Sequence, residues 1–232
     1  MPSDISIITA RGGSKRISRK NIKDFCGKPI IAYSIEAALK SKLFTEVMVS
    51  TDDKEIADIS ISYGAKVPFM RSKKTADDFA TTADVLEEVL LEYRKQGILF
   101  ENFCCIYPTA PFVTDEKLKL CMNIFKSREV DSLVPIVKFS YPPQRCIVLN
   151  KENHLSYKWQ ENINKRSQDL DILYHDAGQF YFGKSDKFLK KKCLVDRMTY
   201  GYEISELEVQ DIDNLDDWQI AELKYKLMSG MK

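Results

Sequence analysis

The 232-residue sequence alternates between short apolar runs and longer stretches in which apolar residues recur at helical spacing. Apolar runs at residues 5–9, 47–50 and 103–107 are typical of buried strands. The stretches between them carry one apolar face, as at Ile31 and Ile35, which is typical of helices. Because strands separated by helices build βαβ units, the alternation predicts an α/β fold with a mainly parallel sheet.

Single residues beside these stretches predict where helices begin. Pro29 is placed to open the first helix, Thr82 and Thr114 are placed to cap two later helices, and the last helix follows Asn214. Residues 66–70 predict an additional short strand. Further strands are predicted at residues 133–139 and 179–182. Since ligands bind at the carboxyl ends of parallel strands, the polar segments that follow the strands should meet at one edge of the sheet.

The pattern changes after about residue 140, where the regular alternation stops. Residues 146–149 and 154–157 are two short strand candidates around a turn, and a polar stretch follows them. We interpret about residues 140–172 as an insertion within a single domain that spans residues 1–232.

Charge and composition exclude several classes of function. The chain has 35 basic and 34 acidic residues, so its net charge of +1 is not that of a dedicated nucleic-acid binder. No apolar run approaches the ~20 residues that cross a bilayer, and no signal-peptide pattern is present. We therefore expect no membrane partner and a cytoplasmic location. The six cysteines form no C-x-x-C pair, which favours buried thiols in a reducing compartment over a zinc site.

A basic loop follows the first predicted strand. Residues 10–21 contain five basic side chains and the adjacent glycines Gly12 and Gly13. Glycine lets backbone N–H groups approach phosphate oxygens, and Arg and Lys side chains neutralise phosphate charge. The spacing matches neither a P-loop nor G-x-G-x-x-G. The loop is therefore either a phosphate-binding segment of another kind or a flexible, solvated run of charges.

Two aspartates lie near the end of the chain. Asp211 and Asp213 are two residues apart, so in an extended segment their carboxylates share one face while Ile212 points into the core. Two carboxylates and substrate phosphates are ligands that Mg²⁺ (or Mn²⁺) accepts. The alternative is a capping cluster, because Asn214, Asp216 and Asp217 follow directly.

The basic loop resembles the signature loop of the sugar-activating nucleotidyltransferases, and most closely that of the cytidylyltransferases of sialic-acid type. Four further segments resemble motifs of that family in the same order along nearly the whole chain. These segments are residues 49–53, 71–82, 107–111 and 211–213, with Ala110 where the family has Ser. The resemblance implies a Rossmann-like three-layer nucleotidyltransferase fold. It also implies transfer of CMP from CTP to a nonulosonic acid, with release of pyrophosphate.

Residues 174–181, 106–112 and 166–170 look most like the pseudaminic acid branch of this family. Enzymes for sialic acid usually carry Gln where Tyr107 stands and Asn where Asp176 stands. The branch implies CMP-pseudaminate as the product, with CMP-legionaminate and CMP-sialic acid as the alternatives.

The resemblance also implies roles for individual residues. The transition state would be stabilised by Lys20, Arg11 and Lys15. The CTP site would comprise Arg11, Gly12, Gly13, Ser14, Lys15, Lys20, Asn21, Arg71, Thr81 and Thr82. The sugar site would comprise Tyr107, Arg166, Gln168, His175, Asp176 and Gln179. The metal would be held by Asp211 and Asp213.

Other interpretations of three sugar-site residues stay open. Tyr107 is also typical of a core residue at a strand end, and Arg166 of a surface arginine in a polar loop. His175 is a candidate general base, because histidine often has this role, but a substrate hydrogen bond or a structural role also fits it. No side chain stands out as the base.

The insertion resembles the dimerisation element of the family, which reaches into the partner's site. Its aromatic residues Tyr141, Tyr157 and Trp159 suit an interface, so we expect a homodimer. Two other classes of protein share single features with the chain. A nucleotide-sugar glycosyltransferase also uses D-x-D, and a non-catalytic nucleotide-binding module would keep the basic loop without needing the aspartates.

Overall fold

The computed structural model describes residues 3–230 and contains the predicted alternation of strands and helices. The strands are β1 (Asp4–Thr9), β2 (Asp24–Phe25), β3 (Lys28–Pro29), β4 (Glu46–Ser50), β5 (Asn102–Ile106), β6 (Ser132–Lys138), β7 (Ile147–Leu149), β8 (Leu155–Tyr157), β9 (Tyr174–Asp176), β10 (Phe180–Lys184) and β11 (Thr199–Glu203). The helices are α1 (Ile30–Ser41), α2 (Lys54–Ser62), α3 (Lys73–Ala76), α4 (Thr82–Lys95), α5 (Asp115–Ser127), α6 (Ser185–Lys191) and α7 (Leu215–Ser229).

A seven-stranded sheet forms the centre of the molecule, in the order β11-β6-β10-β5-β1-β4, with β9 also paired to β6. The pairs β1–β4, β1–β5 and β6–β11 are parallel, whereas β10 is antiparallel to β5 and β6, and β9 is antiparallel to β6. Five strands therefore run in one direction and two in the other. This confirms the mainly parallel sheet and adds a reversal that the hydrophobic pattern did not predict.

Side chains alternate between the two faces of the sheet, and each face carries its own core. Ile8 and Val49 pack with α1 and α5 on one face, whereas Ile7 and Met48 pack with α4 on the other. All four residues are completely buried. Helices on both faces of one sheet make three layers, so the predicted α/β class is confirmed.

Two predicted helix starts are wrong by one residue each, and one predicted strand does not form. Thr81, not Thr82, caps α4, because its hydroxyl accepts from the Asp84 N–H while the Asp84 carboxylate accepts from the Thr81 N–H. Pro29 precedes the first residue of α1 instead of being that residue. Residues 66–70 are not a strand, since only one isolated bridge joins Lys66 to Met48.

Strands β9 and β10 are two parts of one chain segment that is interrupted by three residues. Asp176 pairs with Ile136 and Phe182 pairs with Leu133, so the register shifts by three residues between the two parts. Gly178, with φ of 62°, lies inside the interruption. Such bulges redirect side chains, and this one lies beside the clefts described below.

The region predicted as an insertion leaves the central sheet after β6 and returns at β9. Its base is closed by the Phe139 N–H, which donates to the Leu173 carbonyl oxygen over 3.0 Å. Within it, β7 and β8 form a separate two-stranded sheet whose residues are largely exposed. Across residues 3–230, every helix is too short or too polar to cross a bilayer.

Candidate active site

A cleft of about 770 Å³ opens at the carboxyl ends of β1, β4 and β5, where the sequence predicted a ligand site. Eight of the ten residues predicted to bind CTP line it. These are Arg11, Ser14, Lys15, Lys20, Asn21, Arg71, Thr81 and Thr82. The structure therefore brings residues of the first loop together with residues of α4 and the segment that precedes it. We call this space the first cleft.

The first loop is held by aspartates that follow β4. Asp52 Oδ1 accepts from the Gly12 N–H over 2.9 Å, and Asp53 forms a paired hydrogen bond with the guanidinium of Arg19. Arg19 has a φ of 54°, and its guanidinium also contacts Glu55. The hydrogen bond from Arg19 lowers the pKa of Asp53, so that carboxyl stays charged. The loop is thus braced, which argues against a flexible run of charges.

Gly12 and Gly13 do not line the first cleft, contrary to the predicted role of their backbone donors. The Gly12 N–H is already bonded to Asp52, and a Cβ atom at Gly12 would lie 2.8 Å from Asp53 Oδ2. Gly12 is therefore needed for close packing against the β4 end rather than for direct phosphate contact. A Cβ atom at Gly13 would meet no heavy atom within 4 Å.

One carboxylate contacts two of the three loop cations that were predicted to act on the phosphates. Asp78 Oδ1 lies 3.0 Å from Arg11 Nη1, and Asp78 Oδ2 accepts from Lys15 Nζ. Arg11 Nη1 also donates to the carbonyl oxygen of Asp77 over 3.2 Å. Lys15, and then Arg11, lower the pKa of Asp78, which keeps the carboxylate charged. Asp78 lies within the segment 71–82 that resembles a family motif, but no role was predicted for it individually.

Arg71 is nearly buried, with 8% of its surface exposed, at the back of the first cleft. Its Nε donates to Ser50 Oγ over 3.0 Å and its Nη2 donates to the Ser50 carbonyl oxygen over 2.6 Å. Burial lowers the pKa of this guanidinium. Arg71 therefore fixes the end of β4 and contributes a fixed positive charge to the cleft wall.

The D-x-D segment contacts the first loop through Lys20 and Arg16. Lys20 Nζ donates to the Ile212 carbonyl oxygen over 2.6 Å, and Arg16 lies 2.6 Å from Asp213 Oδ1. Burial lowers the pKa of Lys20, and the charges of Asp213 and Asp211 oppose that effect. Ile212 is 2% exposed, as the extended pattern predicted. The basic loop and the acidic pair are therefore in direct contact.

The α7 cap does not use the carboxylates of the D-x-D pair. Asn214 accepts from the Asp217 N–H, and Asp217 Oδ2 accepts from the N–H groups of Asn214 and Asp213. Within residues 3–230 the Asp211 carboxylate has no hydrogen-bonding or ion-pair partner, and it is exposed. The capping alternative therefore explains Asn214 and Asp217, but it does not explain the two D-x-D carboxylates, which take no part in the cap.

The two aspartates fit a hard divalent cation that is shared with a substrate. No cluster of three or more His, Cys, Asp or Glu side chains that could hold a metal occurs within residues 3–230. Mg²⁺ commonly takes only one or two protein carboxylates and completes its shell with phosphate oxygens and water. An exposed Asp211 carboxylate and a neighbouring Asp213 carboxylate are a suitable donor set for that arrangement.

A second cleft, of about 580 Å³, adjoins the first, and Tyr107 and Thr109 line both. His175, Asp176 and Asp211 line the second cleft as well. This cleft therefore places three predicted sugar-site residues, Tyr107, His175 and Asp176, beside one predicted metal ligand.

A row of hydroxyl groups crosses the wall between the two clefts. Thr82 Oγ1 lies 3.0 Å from the Tyr107 hydroxyl, and the rings of Tyr107 and Tyr181 are in contact with centroids 5.4 Å apart. The Tyr181 hydroxyl donates to Asp176 Oδ2 over 2.8 Å, and the Gly178 N–H donates to Asp176 Oδ1 over 2.8 Å. Burial raises the pKa of both tyrosines, so both hydroxyls keep their protons. Tyr181 is a residue that the sequence interpretation did not assign to the site.

Three predicted sugar-site residues do not reach either cleft. Gln179 is 3% exposed and its amide donates to the Glu208 carbonyl oxygen. Arg166 and Gln168 lie in the exposed insertion, where Arg166 pairs with Asp169 over 2.9 Å. The structure does not bring Arg166 and Gln168 to the site within one chain, because the insertion leaves the sheet before its polar stretch begins. Gln179 lies outside the insertion and is turned into the protein.

His175 and Tyr107 have contacts that bear on their alternative interpretations. His175 Nδ1 lies 2.9 Å from the Asp176 carbonyl oxygen and its ring packs on Phe139, with centroids 4.7 Å apart. Among residues 3–230, no carboxylate hydrogen-bonds to this ring, whereas a general base is usually oriented by such a third group. Tyr107 packs against both core clusters and also lines both clefts, so its position is compatible with both interpretations.

A cation-rich cleft at the carboxyl ends of a mainly parallel, three-layer sheet defines a nucleotide-binding α/β enzyme. The fold is similar to the solved structure titled CMP:2-keto-3-deoxy-manno-octonic acid synthetase complexed with CTP, with a TM-score of 0.70 and 18% identity over 99% of this chain and 100% of that one. A family model described as cytidylyltransferase matches residues 5–219. The chain belongs to the cytidylyltransferase family.

Curated relatives are similar over nearly the whole chain. The pseudaminic acid cytidylyltransferase of Campylobacter jejuni is 40% identical over 97% of this chain and 97% of its own length. The CMP-N,N'-diacetyllegionaminic acid synthase of Legionella pneumophila is 31% identical over 94% of each. The family resemblance inferred from the motifs is therefore confirmed.

Proposed function

We propose that this enzyme transfers CMP from CTP to pseudaminic acid and releases pyrophosphate. The observation that carries the proposal is the pair of adjoining clefts, one lined by cations and the other by Asp176, His175 and Asp211. The sugar assignment is supported by the higher identity to the Campylobacter jejuni enzyme than to the legionaminic acid enzyme. CMP-legionaminate and CMP-sialic acid are the alternative products.

In the first cleft, the triphosphate of CTP would replace the Asp78 carboxylate as the partner of the loop cations. Arg11 and Lys15 contact the Asp78 carboxylate, and a triphosphate offers the same cations more negative charge. Ser14 and Asn21 line the same cleft. Thr81 and Thr82 line it at the start of α4, where they would contact the ribose or the edge of the base. Gly12 would act by letting the loop pack against Asp53.

The transfer itself is mainly a matter of positioning and charge. The anomeric hydroxyl of the sugar would attack the α-phosphorus in line as pyrophosphate leaves. Lys20 is held at the junction of the basic loop and the D-x-D segment, where its ammonium would stabilise charge that develops in the transition state. Burial lowers the pKa of Lys20 and favours a neutral form, whereas phosphate charge beside it favours the ammonium.

Asp211 and Asp213 would hold Mg²⁺ or Mn²⁺. Such a cation, when bound, neutralises phosphate charge and lowers the pKa of a coordinated hydroxyl. Asp213 contacts Arg16, so that ion pair would loosen as Asp213 takes up its ligand role. Asp211 needs no such exchange, because its carboxylate has no partner within residues 3–230.

The sugar would occupy the second cleft. Asp176, fixed by Tyr181 and Gly178, offers acceptor oxygens to hydroxyl or amide groups of the sugar. Tyr107 lies where the sugar and nucleotide meet. For the sugar carboxylate we propose Arg166 as a bidentate partner, together with Gln168, supplied by the insertion of a second copy of the chain.

A homodimer follows from that assignment. The β7–β8 sheet exposes apolar side chains, including Leu149 at 64% and Leu155 at 68%, which a partner chain would cover. Light scattering should report a dimer, and Leu149→Lys with Leu155→Lys should shift it toward monomer and reduce turnover. A monomeric wild-type protein with full activity would rule out a site shared between chains.

The sugar assignment is tested by measuring pyrophosphate release with CTP and a panel of pseudaminic, legionaminic and sialic acids. We expect the highest kcat/KM with pseudaminic acid. A preference for another nonulosonic acid would overturn the sugar assignment while leaving the cytidylyl transfer intact. CTP binding without turnover on any of them would indicate a binding module, and cleavage of a supplied nucleotide sugar would indicate a glycosyltransferase.

We also propose that the reaction takes place in the cytoplasm. All six cysteines are free, and three of them, Cys104, Cys105 and Cys121, are buried. Burial raises the pKa of these three thiols, which keeps them protonated and unreactive. Unpaired thiols of this kind suit a reducing compartment.

A further inference from the structure

Gln179 lies in the interruption between β9 and β10, and its side chain points into the protein rather than into either cleft. It is 3% exposed, and its carbonyl oxygen accepts from the Tyr107 N–H over 2.8 Å. Its side-chain Nε2 donates to the carbonyl oxygen of Glu208. The amide of Gln179 therefore joins the central sheet to the segment that leads into the D-x-D pair.

The same segment is held by two lysines from two different helices. Lys117 of α5, whose side chain is 8% exposed, lies 2.9 Å from Glu208 Oε1. Lys224 of α7 donates to the Val209 carbonyl oxygen over 2.7 Å and to the Glu206 carbonyl oxygen over 3.2 Å. Residues 206–209 are thus held by contacts from the central sheet and from two helices.

These contacts end just before Asp211, and others begin just after it. Ile212 is buried at 2% exposure and its carbonyl oxygen accepts from Lys20. The Asp211 carboxylate itself has no partner within residues 3–230. Its position is therefore set by the backbone on both sides of it, and upstream that backbone is anchored by Gln179, Lys117 and Lys224.

We infer that Gln179 is a positioning residue that sets the place of Asp211 for the divalent cation, and that it is not a sugar-binding residue. The inference rests on the proposed function, in which Asp211 and Asp213 hold that cation. Residues that orient metal ligands commonly change metal affinity by 10- to 100-fold when they are replaced. A positioning role therefore predicts an effect on the metal that a sugar-binding role does not.

The test is Gln179→Leu, which keeps most of the side-chain volume and removes the donor. The Gln179 Oε1 atom is buried and has no hydrogen-bond partner among the described residues, so its removal offsets part of the lost bond and the variant should fold. The matched control is Asn102→Leu, which removes another buried amide, one that donates to Asp4 over 2.8 Å away from both clefts. Lys224→Met, at a half-buried position, releases the same segment from the other side.

Mn²⁺ binding to each CTP-bound protein is measured by electron paramagnetic resonance, without sugar. We expect Gln179→Leu and Lys224→Met to weaken Mn²⁺ binding about tenfold, and Asn102→Leu to leave it unchanged. Unchanged Mn²⁺ binding in Gln179→Leu together with a raised KM for the sugar would overturn the inference and restore the sugar-binding role. Equal losses in Asn102→Leu would also overturn it, because the effect would then be one of general stability.

The same experiments distinguish a wrong proposed function from a wrong role for Gln179. If wild-type protein with CTP binds no Mn²⁺, the metal site is wrong and the inference falls with it. If wild-type protein binds Mn²⁺ but turns over no nonulosonic acid, the proposed reaction is wrong and the role of Gln179 is still decided by the Mn²⁺ titrations.

Discussion

Lys20 Nζ lies 2.6 Å from the carbonyl oxygen of Ile212, the residue between the two aspartates of the D-x-D pair. The two residues are 192 positions apart in the sequence. This contact joins the basic loop to the acidic pair and places a partly buried ammonium near both carboxylates. Burial lowers the pKa of Lys20, and the charges of Asp213 and Asp211 oppose that effect. A cation and an acidic pair held together in this way suit a reaction between two anionic substrates.

Replacing Lys20 should reduce the rate of catalysis much more than the binding of substrates. Lys20→Ala is expected to lower kcat by about 100- to 1,000-fold, because a charged group that stabilises the transition state is removed. Circular dichroism and thermal unfolding should show a folded protein. A kcat near that of the wild type would contradict the role of Lys20.

The pH dependence of the free enzyme should also report Lys20. Burial lowers its pKa below that of an ordinary lysine, so the ammonium loses its proton at a lower pH and kcat/KM for CTP should fall on the alkaline side sooner than an ordinary lysine would predict. In Lys20→Arg the guanidinium stays charged, and this alkaline decline should move to higher pH. The same decline in both proteins would assign it to another group.

The aspartates should be needed for activity but not for folding. Asp211→Asn with Asp213→Asn should abolish pyrophosphate release at millimolar Mg²⁺, because the donor set loses both charges. Asp216→Asn, which removes an exposed carboxylate from the first turn of α7, is the control and should cost only a few tenths of a kcal/mol in stability. Retained activity in the double variant would return D-x-D to the capping interpretation.

The two adjacent glycines of the first loop should differ in their tolerance of a methyl group. In Gly12→Ala the new Cβ would lie 2.8 Å from Asp53 Oδ2 and 2.9 Å from Asp53 Cβ, so the loop must shift away from the β4 end. We expect KM for CTP to rise about tenfold, which corresponds to about 1.4 kcal/mol. Gly13→Ala meets no heavy atom within 4 Å and should raise KM by much less. Equal effects would contradict the view that close packing against Asp53 is what requires glycine at position 12.

Removing the Tyr181 hydroxyl should weaken binding of the sugar but not binding of CTP. Tyr181→Phe frees Asp176 from a hydrogen bond of 2.8 Å, and bonds to charged groups contribute roughly 1.5–3 kcal/mol. KM for the sugar should rise about tenfold or more while KM for CTP stays the same. Tyr93→Phe, which removes a buried hydroxyl bonded to Glu46 over 2.8 Å, should lower stability without changing either KM. A rise in the KM for CTP in Tyr181→Phe would argue against a role confined to the second cleft.

The sequence by itself determined the alternation of elements and the chemistry of the first loop. Apolar runs at residues 5–9 and 103–107 became neighbouring central strands, since continuous apolar runs of this length are typical of strands that are buried on both faces of a sheet. The residues that predicted phosphate binding, such as Arg11 and Lys20, line the first cleft because they follow a parallel strand. These features are local, so a short stretch of chain is enough to reveal them.

Only the tertiary structure decided how distant segments meet. The reversal of β10, the interruption at Gly178 and the inward direction of Gln179 depend on pairing with β5 and β6, which lie far away in the sequence. The contact of Asp78 with Arg11 depends in the same way on side chains 67 residues apart. Charge and hydrogen-bonding capacity belong to a residue type, whereas the partner that satisfies them is chosen by packing. The sequence therefore identified the residues of the first cleft, and the structure assigned Tyr181 to the second cleft and removed Gln179 from it.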